Sequence, residues 1–337
     1  MKFLVVNSKE PYVGKLNILR EQCSTSGLVL DLWDAEDKSG LLDYAVSKGY
    51  SALIHRNEHG RLFADGSLGW IKQSVNSGLP VLSLDFGYLD HYKTFMFDYY
   101  RKPDLSSGIH DEWANIPDKV DWRAAPKYVR QFRESILEKV ARADNSKYAG
   151  KVGVWMQWNT NLLRPELGTL KQWKWVNLVC KKVFDLGLEP IVKMGIVDHS
   201  EIYRDTTPKI DPRISLVCDK QNVSKSNQRA DFDGQANWKM VAGCSYHIIL
   251  CSSVSHIMAL TDKPVIATGQ SWFNALGVFQ EPVEWDSPLV KPEVNFSSRA
   301  KWINWWLKRQ CQWGDSANKL IEVYELAKLH LNSHSPT

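Results

Sequence analysis

The strongest constraint on this fold is a repeated alternation of short apolar runs with longer polar or amphipathic segments. In the first part of the chain, the apolar runs predict strands at residues 2–6, 28–33, 51–55 and 80–84. The segments between them have helical periodicity and end near glycines such as Gly27, Gly49 and Gly78. Strands separated by helices of about ten residues predict βαβ units and a parallel sheet.

A second series of the same kind begins near residue 151. It predicts strands at 151–156, 189–194, 214–218, 246–251 and 264–267, followed by a helical tail from 299 to 332. We therefore expect an α/β protein with two Rossmann-like domains facing a central cleft. The expected boundaries are 1–150 for the first domain, 151–298 for the second, and 299–337 for a C-terminal helical tail that packs back on the domains.

Composition argues against several classes of protein. The net charge of +4 over 337 residues does not indicate a strongly basic nucleic-acid binder. The six cysteines include no CxxC pair and the histidines include no HExxH pattern, so no metal site is expected. No stretch approaches the roughly 18 apolar residues of a membrane helix, and the N-terminal apolar run is too short for a signal peptide. We expect a cytoplasmic protein with no membrane partner.

A serine pair follows one of the predicted buried strands and opens a short helix. Ser252 and Ser253 come directly after the strand, and their hydroxyls together with the free N–H groups of the first helical turn can bind an anion. The same serines can also serve only as helix caps. His256 lies one turn further along and either faces the anion or is a structural histidine. A Lys-Pro-Val strand then leads to Gly269, Gln270 and two aromatic residues.

This order of elements, over roughly 245–275, resembles the donor-binding half of GT-B glycosyltransferases, most closely those of the capsule-polysaccharide and Kdo-transfer type. The resemblance implies that the serine-headed helix faces the diphosphate of a nucleotide sugar, and that the loop with Gly269 and Gln270 lies near the sugar. A UDP-sugar is the expected donor, with no further cofactor and no required metal.

The same resemblance implies further donor contacts after the first two strands of the second domain. The residues concerned are Trp158, Asn159 and Arg164 in the loop after the first strand and Lys193 at the end of the next one. Positive charge at these places would offset the charge of the diphosphate leaving group. Surface or interdomain ion pairs are the alternative for Arg164 and Lys193.

Asp85 follows the apolar run 80–84, at the carboxyl end of the fourth predicted strand. Its position resembles that of the general base in phage DNA glucosyltransferases of GT-B architecture, where a carboxylate takes the proton of the acceptor hydroxyl. The alternative is a turn or helix-capping aspartate, because Asp-Phe-Gly-Tyr also suits a turn. On the same resemblance, the acceptor or DNA contacts are expected at Tyr88, His91, Arg123, Lys127 and Arg130.

Tryptophans recur at helical spacing near the C-terminus. Trp302, Trp305, Trp306 and Arg309 stand at i, i+3, i+4 and i+7 and therefore share one helix face. The face either packs against a domain or stacks on bases or sugars.

These observations favour a nucleotide-sugar-dependent glycosyltransferase with an aspartate base. The expected acceptor is a 5-hydroxymethylpyrimidine in double-stranded DNA, flipped out of the duplex, as in a bacteriophage DNA-modifying enzyme that works in the host cytoplasm. One alternative acceptor is a cell-envelope or capsule saccharide. Two further alternatives are a non-catalytic sugar- or nucleotide-binding protein and a nucleotide-sugar hydrolase or epimerase.

Overall fold

The computed structural model describes the greater part of the chain, in two compact units. The described residues are 1–6, 13–33, 38–56, 68–86, 93–102, 104–156, 172–194, 209–226, 229–250, 254–268, 276–280 and 288–334. Unit 1 comprises Met1–Val129 together with Ala300–Thr337, and unit 2 comprises Arg130–Arg299.

The strands are numbered in chain order. They are β1 (Lys2–Val6), β2 (Val29–Trp33), β3 (Ala52–Arg56), β4 (Val81–Phe86), β5 (Thr94–Tyr99), β6 (Val152–Trp155), β7 (Pro190–Lys193), β8 (Ser215–Cys218), β9 (Ala230–Phe232), β10 (Tyr246–Ile249), β11 (Val265–Ala267) and β12 (Gln310–Gln312).

The helices are numbered in the same way. They are α1 (Val13–Thr25), α2 (Leu41–Ser47), α3 (Leu68–Asn76), α4 (Ile109–Glu112), α5 (Lys127–Ala141), α6 (Gln172–Asp185), α7 (Gln221–Ser226), α8 (Ala236–Gly243), α9 (Val254–Leu260), α10 (Phe296–Arg309) and α11 (Ser316–Ser333). In the described part of the chain, none of these helices is long and apolar enough to cross a membrane.

Unit 1 contains a six-stranded sheet in the order β12-β5-β4-β3-β1-β2. The four strands β2, β1, β3 and β4 are parallel, as the sequence predicts; β5 pairs antiparallel with β4, and β12 pairs antiparallel with β5. The pattern of the sequence did not reveal β5. All six of its residues are buried, so it lacks the alternation of apolar and polar residues that identifies a half-buried strand.

Unit 2 contains a second six-stranded sheet, in the order β11-β10-β6-β7-β8-β9, with every pair of neighbours parallel. The five strands that the sequence predicts for this sheet are confirmed to within about two residues at each end. The strand β9 was not predicted, because it has only three residues and two of them are exposed.

Each sheet has apolar cores built from its own unit. In unit 1, α1 and α11 cover one face of the sheet with residues such as Leu19 and Leu320, whereas α2 and α3 cover the opposite face. In unit 2, Trp175, Val176 and Val179 of α6 pack on one face. A parallel sheet needs both faces covered, and the crossover helices supply that cover.

The predicted helical tail is interrupted. The helix α10 ends at Arg309, the next three residues form β12, and α11 follows after a short 3-10 turn. In β12, Cys311 is paired with Phe95 of β5. Because this pairing joins residues far apart in the sequence, no local pattern could indicate it.

The tryptophan face of α10 is buried. Trp302, Trp305 and Trp306 are all fully inaccessible to solvent, and the rings of Trp302 and Trp306 lie edge to face with their centroids 4.2 Å apart. The packing interpretation is therefore confirmed, since a buried indole face cannot stack on a base or a sugar.

Arg309 connects the end of α10 to the rest of unit 1 through buried charges. Its guanidinium is fully buried and forms an ion pair with Glu112, and Asp98 lies 3.8 Å from its Nε. The Asp98 carboxylate also accepts a hydrogen bond from Ser107 Oγ. Burial raises the pKa of Asp98 to about 6, and the charge of Arg309 opposes that rise.

We expect Trp305→Ala to lower the free energy of unfolding by about 3–5 kcal/mol, because it removes a large, fully buried side chain and leaves a cavity. Urea denaturation followed by far-ultraviolet circular dichroism measures the change. The control is Leu329→Ala on α11, where the side chain is 65% exposed and the expected change is below about 1 kcal/mol. Similar losses in the two variants would contradict the assigned packing.

Candidate functional site

The order in which the chain adds strands to the sheet of unit 2 reverses at β6. The chain proceeds from β6 to β7, β8 and β9 on one side, and β10 and β11 lie on the other side. In sheets of this type, ligands bind outside the carboxyl ends of the strands, at the point where the strand order reverses. The edge of the sheet where the parallel strands of unit 2 end is called the carboxyl edge below. The position between β6 and β10 at this edge is the candidate site.

Most of the predicted donor residues follow these strands in the sequence but lie outside the described residues. Met156 and Leu250 are the last residues described after β6 and β10. The residues that stay predictions are Trp158, Asn159, Arg164, Ser252, Ser253, Gly269 and Gln270 in unit 2, and Tyr88 and His91 in unit 1.

Lys193 is the predicted donor residue that the structure describes in most detail. It ends β7, side by side with Trp155 at the end of β6. The side chain is buried, and its ammonium nitrogen Nζ lies 3.0 Å from Asp219 Oδ1 and 2.7 Å from the carbonyl oxygen of Met194. Burial lowers the pKa of the Lys193 amine below its ordinary 10.5, and the negative charge of Asp219 acts in the opposite direction.

Asp219 and Asn237 form a network with Lys193, and the sequence analysis missed both. Asp219 comes directly after β8, and its Oδ2 accepts a hydrogen bond of 3.0 Å from the side-chain amide of Asn237 in the first turn of α8. A signal did exist, because Asp219 follows a predicted strand at the same edge as Lys193. The partnership itself depends on the order of the strands, which a single sequence does not show.

The ends of β10 and β11 are joined by a buried threonine. Thr268 follows β11, and its hydroxyl Oγ1 donates a hydrogen bond of 3.0 Å to the carbonyl of Ile249. The indole Nε1 of Trp175, on α6, donates to the same hydroxyl oxygen at 3.1 Å. These bonds fix the backbone immediately before the predicted Gly269 and Gln270 loop.

A buried histidine orients the side chain at the end of β6. Trp155 Nε1 donates a hydrogen bond of 3.1 Å to Nδ1 of His247, which is fully buried on β10. A Cβ atom on Gly153 would lie only 2.6 Å from that Nδ1, so glycine is required beside it. Burial lowers the pKa of His247 to about 3, which keeps the imidazole neutral.

His256 lies on α9 and is buried, with 6% of its surface exposed. The helix around it is also mostly buried. This placement is compatible with both interpretations given above, an anion-facing histidine and a structural one, and the donor role stays a prediction.

In unit 1, Asp85 is the penultimate residue of β4 rather than the residue after it. Its backbone is paired with Met96 of β5, so the interpretation as a turn residue is wrong. The side chain is 7% exposed and lies on the same face of the sheet as Ser83 and His55, because residues alternate between the faces of a strand. The Nδ1 atom of His55 lies 2.6 Å from the hydroxyl oxygen of Tyr100. Asp85 thus ends a polar stretch of an otherwise apolar face.

The predicted DNA-contacting residues Arg123, Lys127 and Arg130 are exposed at and before the start of α5. Further along the segment, two more exposed basic residues have partners within the protein. Arg142 forms an ion pair of 2.6 Å with Glu138, and the amine of Lys139 lies 5.0 Å from the ring centroid of Trp238. Basic side chains are therefore exposed along the whole segment, from Arg123 to Arg142.

The described residues also include no group of three or more histidine, cysteine, aspartate or glutamate side chains placed to hold a metal ion.

The two sheets and the polar residues at their carboxyl ends define a two-unit α/β protein of Rossmann type. Its fold is similar to that of the beta Kdo 2,7 transferase of KpsC from Thermosulfurimonas dismutans, with a TM-score of 0.51 and 10% identity over 96% of this chain and 99% of that one. This likeness confirms the predicted α/β class and the resemblance in fold to capsule and Kdo-type transferases.

A second solved structure, the beta Kdo 2,4 transferase of KpsC from the same organism, matches with a TM-score of 0.47 and 11% identity over 88% of this chain and 89% of that one. No family model matches the chain, and neither does the sequence of any curated protein.

We expect the stability of the protein to fall as the pH drops from about 6.5 towards 3, in part because of His247. Over that range the imidazole binds a proton in the unfolded chain but stays neutral in the folded protein. The free energy of unfolding therefore falls by about 1.4 kcal/mol for each unit by which the pH drops. His247→Gln keeps an acceptor for Trp155 Nε1 and should reduce the number of protons taken up on unfolding by about one, which makes the pH dependence of the free energy of unfolding less steep. Urea unfolding at pH 7, 6 and 5 measures it, and parallel pH dependences in the two proteins would refute the assignment.

Proposed function

We propose that this protein is a glycosyltransferase that moves a sugar from a nucleotide-activated donor to a hydroxyl group of an acceptor. The observation that supports this most is the likeness in fold to the KpsC beta Kdo 2,7 transferase, which extends over nearly the whole of both chains. The arrangement of polar residues adds to it. Lys193 and Asp219 lie at the carboxyl edge of unit 2, and Asp85 lies at the end of β4 in unit 1.

The proposed reaction uses Asp85 as its general base. An acceptor hydroxyl oxygen attacks the anomeric carbon of the donor sugar, its proton passes to the Asp85 carboxylate, and the bond from the anomeric carbon to the phosphate oxygen breaks. The nucleotide leaves with the electron pair of that bond. Lys193, Arg164 and the N–H groups at Ser252 and Ser253 are the proposed partners of the phosphate charge that develops.

For the acceptor we place a saccharide first. The structural neighbour is described as a Kdo transferase, and the net charge of the chain is only +4. Phosphate contacts from several lysines and arginines dominate the affinity of proteins for DNA. Hydroxymethylated DNA is the second candidate, supported by the exposed side chains of Arg123, Lys127 and Arg130.

The first experiment identifies the sugar donor and the acceptor. The protein is incubated with sugars activated by uridine, thymidine, guanosine or cytidine nucleotides, UDP-sugars first. It is given oligosaccharides or hydroxymethylcytosine- and hydroxymethyluracil-containing DNA as acceptors. Mass spectrometry should show a sugar-sized gain on an oligosaccharide. A gain on DNA would select the second candidate. Free sugar without an acceptor would indicate a hydrolase or epimerase, and the absence of any nucleotide binding would refute the proposal.

We expect Asp85→Asn to lower kcat by about 10²–10⁴-fold while the affinity for the donor changes little, because the amide cannot accept the proton of the acceptor. Steady-state kinetics and calorimetric titration with the donor measure the two quantities. The control is Asp43→Asn on α2, an exposed carboxylate that should leave both unchanged. An unchanged kcat in Asp85→Asn would remove the base from the mechanism and favour a purely structural role for this carboxylate.

A further inference from the structure

Lys193 and Asp219 form a buried ion pair in a place where stability alone does not require one. Both side chains are largely removed from water, with 3% and 14% of their surfaces exposed. Replacing such a pair by well-packed apolar residues is often neutral or stabilising, because removing two charges from water costs much of what their attraction returns. The pair lies at the carboxyl edge of the sheet, where ligands of this fold class bind. Its position therefore suggests a role in binding.

Two of the three donors of the Lys193 ammonium have partners in the described part of the structure. An ammonium has three N–H donors. Asp219 Oδ1 at 3.0 Å and the Met194 carbonyl at 2.7 Å accept two of them, and no acceptor for the third lies among the residues that the structure describes. Lys193 is also in register with Trp155 at the end of β6, the strand at which the strand order of the sheet reverses.

Asp219 is itself held in place. Its two oxygens have different partners, because Oδ1 faces the Lys193 amine and Oδ2 accepts the hydrogen bond from Asn237. The amide therefore fixes the rotation of the carboxylate, and the carboxylate fixes the amine. The three side chains come from the ends of β7 and β8 and from the first turn of α8.

We propose that Asp219 and Asn237 are positioning residues that hold the Lys193 ammonium charged and oriented towards the phosphate of the nucleotide donor. This inference rests on the proposed function and deepens it, since it assigns two residues to the donor site that act through a third. A merely structural pair would stabilise unit 2 without affecting how donor binding depends on pH.

The pH dependence follows from the groups that face the Lys193 amine. In the described part of unit 2 these are Asp219 and the Cys218 thiol beside it. Burial lowers the pKa of Lys193, and Asp219 raises it, so Asp219→Asn must lower that pKa further. The ammonium is then lost at a lower pH, and binding of an anionic donor weakens at a lower pH than in the wild type.

The test measures the dissociation constant of a nucleotide by calorimetry between pH 7 and 9.5. The probe is whichever of UDP, TDP, GDP and CMP binds the wild-type chain most tightly. In Asp219→Asn the pH at which binding weakens should fall below that of the wild type, and on the alkaline side Kd should rise by up to about tenfold for each unit of that fall. Asp219→Glu, which retains the charge, should restore the wild-type profile. Asn237→Leu should weaken binding at every pH tested.

Two controls keep the result interpretable. Asp185→Asn removes the same charge from the exposed ion pair with Lys181 on α6 and should leave the pH profile unchanged. Ionisation of the nucleotide itself affects this control and Asp219→Asn equally, so comparing the two removes that contribution. The double variant Lys193→Met with Asp219→Leu replaces the pair by apolar side chains and should fold, bind weakly and lose this pH dependence.

Each outcome decides a different point. Identical pH profiles in the wild type and Asp219→Asn, or wild-type affinity in the double variant, would overturn the positioning role while the proposed function stands. If none of the four nucleotides binds the wild type, the proposed function is wrong and the inference falls with it.

Discussion

Parallel strand pairing is the constraint on which the rest of this structure depends. Parallel strands need crossover connections, which place helices on both faces of a sheet, and they bring all carboxyl ends to one edge. In unit 2 every pair of neighbouring strands is parallel, so Lys193, Asp219 and Thr268 follow different strands and still lie at the same edge. In unit 1 the four parallel strands do the same for Asp85. The candidate site residues are thus placed by the sheets.

Buried charges occur in both units, and their places in the fold differ. In unit 1, Arg309 forms an ion pair with Glu112 beside Asp98 and connects the end of α10 to the segment after β5. This cluster lies where the last part of the chain joins the sheet of unit 1, beside β5, which runs antiparallel to the four parallel strands. In unit 2, the pair of Lys193 and Asp219 lies at the carboxyl edge. The position of the Arg309 cluster fits a structural role, whereas that of the Lys193 and Asp219 pair fits a role in ligand binding.

The sequence predicted the site less completely than the fold. It proposed Asp85 and Lys193 as site residues because each stands at the end of an apolar run, and strand ends are where such folds bind ligands. It assigned Asp85 to a position after the strand, since the aspartate interrupts the apolar pattern, whereas pairing with Met96 extends β4 beyond it. It did not find Asp219 or Asn237, because their relation to Lys193 arises from the neighbouring positions of β7, β8 and α8.

By itself the sequence determined the α/β class, the parallel strands β1 to β4 and the main strands of the second sheet, because apolar runs and helical periodicity are local properties. Only the tertiary structure decided that β5 and β12 extend the first sheet, that the tryptophan face of α10 is buried, and that Lys193 is held by Asp219. Each of these depends on a contact between segments far apart in the chain. Such contacts are selected by the packing and hydrogen bonding of the whole fold, and no local window of residues contains them.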